Sequence, residues 1–322
     1  MKNILVIGGA GYIGSHTCKL LHSNGSFIVG VFDNLTTGCS EFCKYGAFYQ
    51  GDITQITELE ACFADFKPEV VIHFAALAHV DESIFHPDEY YRVNVVGTIN
   101  ILNAMRKFNC NKIVYSSSCA TYGIPTTLPI AEHMPQNPIH PYGMSKLMTE
   151  KIIFDYHRAF GIKYIILRYF NVVGNDFECD VGEWHNPEKR ILPNLIKAAI
   201  LSKEFNCFGM DYLTTDGTCE RDYIHVLDLA NAHLKALDHV ENMQDVFNLG
   251  NGTPISNMQL IKKVKELSGL PIKINWCDKR PGDPAQLYCD NSRSIEILGH
   301  RNQYTLDDMV LSSLNWYKKK LL

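Results

Sequence analysis

A short β-branched run, Lys2 to Gly8, opens straight into glycines at Gly8, Gly11 and Gly14, and Tyr12 to His22 then carry Ile13, Thr17, Leu20 and Leu21 near helical spacing. No other feature narrows the fold as far. A glycine-punctuated junction between strand and helix is what a parallel α/β sheet uses to let a phosphate approach the backbone. The run shows no period-two alternation, as expected of a strand covered on both faces, and Asn24-Gly25 supplies a left-handed helix stop. The rhythm repeats: strands at Phe27 to Phe32, Val70 to Phe74, Lys112 to Ser116 and Lys163 to Tyr169, helices near Tyr90 to Phe108 and from Tyr142. This series predicts an α/β fold built on a doubly wound parallel sheet of Rossmann type. Past Asn171, Gly, Pro, Asp and Asn become frequent and the strands short, which predicts a second, smaller α/β lobe that binds substrate. The division expected is 1–172 and 173–322, with segments of about 222–249 free to return to the first domain.

Composition closes off several function classes. The 322 residues are 46% hydrophobic and 20% charged, too apolar for a disordered chain. Thirty basic against thirty-five acidic residues leave no cationic excess for nucleic acid. Eleven cysteines are scattered, odd in number and without a CxxC pair, which fits reduced thiols in a cytoplasmic protein better than disulfides or a metal site. Thirteen histidines include no HExxH, so no metal is expected. No apolar run approaches the roughly 20 residues that a membrane helix needs.

Asp33 ends the second strand about 20 residues after Gly14, where a carboxylate meets the adenosine ribose hydroxyls and repels a 2′-phosphate; NAD is therefore expected over NADP. Tyr142-Gly-Met-Ser-Lys146 sets a phenol and an ammonium one helical turn apart. Lys146 is expected to draw the phenol from its usual value of about 10 toward neutrality, so that Tyr142 can exchange a proton with an alcohol. The triplet Ser116, Ser117 and Ser118 ends the strand Lys112 to Ser116, at the carboxyl end where such sheets bind ligands. Taken singly, these features also fit turn glycines, a strand-ending turn, a solvated helix face and ordinary turn serines.

Together they resemble the extended short-chain dehydrogenase/reductase family, and within it the nucleotide-sugar 4-epimerase branch. The likeness is carried by Gly8 to His16, Asp33 to Leu35, Gly51 to Ile53, Val71 to Ala75, Asn94 to Thr98, Ser116 to Ser118, Pro141 to Leu147, Arg168 to Asn171, Arg221 to Val226 and Arg280 to Asp283. The resemblance implies a catalytic group of Ser118, Tyr142 and Lys146. It implies NAD held by Gly8, Gly11, Tyr12, Ile13, Gly14, Asp33, Asn34, Asp52, Ile53, Phe74, Ala75, Asn94 and Tyr169 as well as by Tyr142 and Lys146. A UDP-sugar would meet Ser118, Tyr142, Asn171, Arg190, Arg221, Arg280, Asp283 and Leu287. The implied reaction inverts C4 of a UDP-hexose through a transient 4-keto sugar, and the implied assembly is a homodimer.

Three positions depart from the family pattern. Ala78 replaces a lysine that often meets cofactor phosphates, with His79 beside it as a partial substitute; Arg190 stands where Asn or His is common; and Leu287 lies where side-chain size governs the sugar 2-substituent. UDP-N-acetylglucosamine, UDP-xylose and UDP-uronates remain open as substrates. A nucleotide-sugar 4,6-dehydratase would carry an Asp-Glu pair after Ser118, where this chain has Cys119-Ala120. A silent NAD-binding sensor would have no need of an intact Ser118, Tyr142 and Lys146.

Overall fold

Strand β1 (Lys2–Ile7) is apolar because both its faces are covered. In the computed structural model, which describes residues 1–184, 188–280 and 282–322, successive side chains of β1 enter opposite cores. Ile4 and Val6 join Leu21 of the helix Tyr12–Asn24 and Leu229, Ala232 and Ala236 of the helix Val226–His239. Leu5 and Ile7 join Phe63 of the helix Ile56–Phe66, Ile101 of the helix Gly97–Lys107 and Ile153 of the helix Pro141–Phe160. Each such fully buried aliphatic contributes about 1.5–3 kcal/mol, which is why this strand tolerates no polar face.

The remaining strands are β2 (Phe27–Asp33), β3 (Ala47–Gln50), β4 (Val70–His73), β5 (Lys112–Ser118), β6 (Lys163–Tyr169), β7 (Asn171–Val173), β8 (Glu204–Phe208), β9 (Glu220–His225), β10 (Asp245–Leu249), β11 (Pro254–Ser256), β12 (Lys273–Cys277) and β13 (Gln286–Leu287). Seven form one parallel sheet in the order β10-β6-β5-β4-β1-β2-β3. Strand order reverses between β1 and β4, so a crevice opens at their carboxyl ends. Around β9 are gathered β7, β11 and β13, and β8 pairs with β12. Here the helices Ile191–Ile200, Asn257–Ser268 and Leu306–Leu321 close a separate core around Leu195, Leu260, Leu314 and Trp316. Capping boxes at Ser256 and Thr305 begin the last two of these helices.

Several local expectations change. β5 runs on through Ser118, so the serine triplet lies within the strand. The segment from Tyr90 to Phe108 is not one helix: a π-helical turn, Tyr91–Val96, precedes Gly97–Lys107. β3 and the helix Ile56–Phe66 carry no signal among the sequence features above. β10 returns to the first sheet beside β6, whereas β9 stays in the smaller sheet. Gly25 and Gly161 do end their helices in the left-handed region, at φ 72° and 70°.

Candidate active site

A cleft of about 850 Å³ lies over the carboxyl ends of the parallel strands and reaches into the second lobe. Gly8, Gly11, Tyr12, Ile13 and Gly14 form its floor. At Gly8, φ is 83° and a Cβ would lie 2.5 Å from Ala75 N; at Gly14 a Cβ would lie 2.2 Å from the Gly8 carbonyl oxygen. Neither position admits a side chain. At Gly11 the nearest atom would be 3.4 Å away, on Gly8, so the space above belongs to the cleft. Gly11 caps the helix Tyr12–Asn24 without a side-chain partner, and no acid occupies the first turn. That leaves a helix amino end suited to an anion.

Asp33 closes the adenosine end. Its Oδ2 accepts from Ala10 N at 3.0 Å and its Oδ1 from Leu35 N at 2.8 Å. Burial raises its pKa, and those two N–H donors oppose the rise. Asn34 Nδ2 donates to Asp52 Oδ2 at 3.1 Å, and Asp52 Oδ1 accepts from Thr54 N at 2.8 Å. Burial works against the Asp52 carboxylate, but the bonds from Thr54 and Asn34 hold it below its ordinary value. Asp52, Ile53, Phe74 and Ala75 continue the wall.

At the reacting end, Pro141 opens the helix Pro141–Phe160, whose cap, His140 Nδ1, accepts from Gly143 N at 3.1 Å. Tyr142 and Lys146 leave this helix into the cleft together with Ser118 from β5. Ser118 Oγ accepts from Ala120 N at 3.2 Å, and Ser118 lines the cleft beside Tyr142. Lys146 Nζ donates to the Ser116 carbonyl at 2.7 Å and lies 5.0 Å above the Tyr115 ring. Here the electrostatic expectation needs correcting. Burial raises the Tyr142 pKa, with the neighbouring Ser118 hydroxyl opposing it, and burial lowers Lys146 to about 7. Desolvation outweighs the pull of ammonium on phenol because both groups stand in the same dry wall.

Asn171, Arg190, Arg221, Arg280, Asp283 and Tyr169 also line the cleft. Arg221 Nη2 donates to Asp283 Oδ1 at 2.5 Å. The Arg280 guanidinium lies 4.1 Å from the Phe208 ring centroid. Arg190 Nη1 donates to the buried Glu183 at 2.6 Å and sits 5.1 Å above Tyr12, so this departure from the family pattern is a braced cation. Ala78 and His79 reach the cleft too, as does Lys189, which pairs with Asp81 at 3.3 Å.

Two expected residues stand behind the wall. Asn94 Oδ1 accepts from Leu77 N at 2.8 Å, while its Nδ2 donates to Leu77 O at 3.0 Å and Ser145 Oγ at 2.9 Å. Its amide is spent on the chain, and of these partners Leu77 is the one that faces the cleft. Leu287, in β13, packs against the cluster of Cys119, Tyr122, Ile130, Phe170 and Cys289. Conversely, Asn206, Phe208 and Asn257 line the cleft without having been anticipated. They come from a short strand and a helix start in the second lobe, where no motif marks them.

Residues 4–250 match the model of the "NAD dependent epimerase/dehydratase family". The chain is 43% identical over 322 residues to the UDP-glucose 4-epimerase of Rhizobium meliloti, covering 99% of this chain and 98% of that protein. It is 43% identical over 320 residues to the UDP-glucose 4-epimerase of Lactobacillus helveticus, covering 98% and 97%. The crystal structure of UDP-glucose 4-epimerase from Brucella ovis in complex with NAD superposes with a TM-score of 0.95 at 42% identity, over 98% of each chain. That from Bifidobacterium longum in complex with NAD+ and UDP gives 0.94 at 38% identity, over 99% and 98%. With likeness in sequence and backbone running the length of the molecule, the chain belongs to the NAD-dependent epimerase/dehydratase family.

Proposed function

We propose that this protein is an isomerase that inverts C4 of a UDP-hexose, interconverting UDP-glucose and UDP-galactose with NAD as resident cofactor. The observation that carries the reading is that one cleft of about 850 Å³ joins a side-chain-free glycine floor, the Ser118, Tyr142 and Lys146 group and the arginines of the second lobe. The full-length likeness to UDP-glucose 4-epimerases supports it.

The floor fits a dinucleotide, since Gly8 and Gly14 have no room for Cβ and the helix start at Gly11 has no acid to repel a pyrophosphate. We assign NAD to that floor with Asp33, Asn34, Asp52, Ile53, Phe74, Ala75, Tyr142, Lys146 and Tyr169, and Asn94 to the support of Leu77. When bound, NAD supplies a reversible acceptor for the hydrogen at the sugar C4. Tyr142, acting as the phenolate, takes the proton of the 4-hydroxyl and later returns it, and Ser118, beside it in the cleft, orients that hydroxyl. Lys146, which burial brings to about 7, balances the phenolate charge as an ammonium until that oxygen takes up the proton, and again once it gives the proton back. Arg221 and Arg280 hold the diphosphate while the 4-keto sugar turns, and Asn171, Arg190 and Asp283 line its path.

The division at about residue 172, with β10 and the helix Val226–His239 lent back to the first sheet, belongs to the same reading. A homodimer is supported by exposed Val96, Met144 and Met148 on neighbouring helices, and a cytoplasmic setting by eleven free cysteines. No helix among the described residues is long and apolar enough to cross a membrane. The test is NMR of UDP-galactose incubated with purified protein and no added reductant. UDP-glucose is the expected product, and an unchanged C4 in UDP-galactose and every other UDP-sugar tried overturns the reading.

A further inference from the structure

The reaction draws on Ser118 alone among three consecutive serines, yet each of the three meets the same helix. Ser118 stands with Tyr142 in the cleft lining, the Ser116 carbonyl accepts from Lys146 at 2.7 Å, and Ser117 Oγ donates to Glu150 Oε1. Tyr142, Lys146 and Glu150 are spaced four residues apart on one helix face, so β5 and this stripe mesh turn by turn. Glu150 is wholly buried. Its Oε1 also accepts from Arg168 Nε at 3.0 Å, and its Oε2 from Arg168 Nη2 at 2.7 Å and Gln136 Nε2 at 2.9 Å. Four donors saturate the carboxylate. Arg168, on β6, is held in turn by Tyr122 OH at 2.7 Å and the Glu132 carbonyl at 3.1 Å.

We propose that Glu150 is a positioning residue for the reaction: clasped by Ser117 and Arg168, it fixes the catalytic helix against β5 and supplies the buried negative charge that sustains Lys146 as an ammonium. A carboxylate so placed is more than packing, because a buried ion pair is weak as a source of stability and an apolar pair would fill the same seam. Lys146 is faced on its own helix by Tyr142 and Glu150, from β5 by the Ser116 carbonyl and the Tyr115 ring, and from β4 by His73. Burial pulls Lys146 down, and Glu150 opposes the fall. Removing that charge lowers the Lys146 pKa further and leaves Arg168 uncompensated, so the ammonium is lost at lower pH than in the wild type.

The inference rests on the epimerase reading, and its test separates the two. Inversion is followed from about pH 5.5 to 9.5 for wild type, Glu150→Gln, Glu150→Asp and Ser117→Ala, with thermal midpoint and bound NAD measured on each. In Glu150→Gln the alkaline limb of kcat moves about one pH unit toward acid. Its kcat then falls about tenfold near the wild-type optimum and recovers on acidification, with KM and NAD content held. Glu150→Asp keeps the charge, so it keeps the limb and loses kcat at every pH. Ser117→Ala does the same to a smaller degree. A Glu150→Gln limb that coincides with wild type overturns the proposal whatever its thermal midpoint. Should Glu150→Gln not fold, undiminished kcat in both Glu150→Asp and Ser117→Ala overturns it instead. Wild-type protein inactive at every pH would strike the epimerase reading rather than this one.

Discussion

Tyr142 sits where burial alone keeps a phenol protonated, and what makes it useful is that Ser118 and Lys146 share its wall. Replacing it with phenylalanine removes one oxygen and leaves the Tyr90 and His140 ring contacts at 6.4 and 6.0 Å available. Tyr142→Phe is therefore expected to fold, retain NAD and lose about 10²- to 10⁴-fold in kcat, read by steady-state kinetics beside a thermal melt. Arg221 makes a different kind of contribution. Its fork spans Asp283 Oδ1 and the Glu220 carbonyl, at 2.5 and 2.8 Å. Arg221→Lys keeps the charge and loses the fork, so KM for the UDP-sugar should rise about tenfold or more with a smaller change in kcat. An unchanged KM would remove Arg221 from the diphosphate site.

Among the elements, the glycine junction separates fold from function most cleanly. Gly14→Ala places a methyl 2.2 Å from the Gly8 carbonyl oxygen, whereas Gly11→Ala meets nothing closer than 3.4 Å. The first should cost about 1–3 kcal/mol or more of stability together with NAD; the second should melt near wild type and still lose NAD. Equal melting losses would contradict this. The same junction was legible in the sequence because strand, glycines and helix are contiguous there, and the serines, Tyr142 and Lys146 fall on regular elements with a fixed period. Asn94 lies in the π-helical turn Tyr91–Val96 with its amide bonded to Leu77 and Ser145, and periodicity cannot show such a turn. Phe208 and Asn257 escaped notice because long-range pairing of β8 with β12, and a capping box at Ser256, bring them to the cleft. The drop of Lys146 to about 7 follows from burial in three dimensions, which no spacing reports.

For the whole molecule, acid is the expected weakness. Burial lowers His16 and His233 to about 4 and His73 and His225 to about 3, from an ordinary 6.5. The unfolded chain thus binds protons that the folded chain refuses, and stability present above pH 6.5 drains as the pH falls toward those values. Burial raises Glu183 to about 7 and Asp228 to about 6, which acts in the opposite sense, favouring the fold as the pH falls through their range. Among the described residues seven histidines are lowered by burial against five carboxylates raised by it (Asp33, Glu132, Glu183, Asp222 and Asp228), and the histidines decide the sign. Thermal midpoints measured from pH 8 down to 4.5 should drop below about pH 6; a flat or rising profile would show that these rings are not buried neutral. The central claim, that the C4 hydrogen leaves and returns within one cleft while Tyr142 handles only the hydroxyl proton, is tested most directly with UDP-galactose deuterated at C4 in ordinary water. UDP-glucose that keeps its deuterium at C4 is the predicted product, and protium from solvent at that carbon would contradict the account.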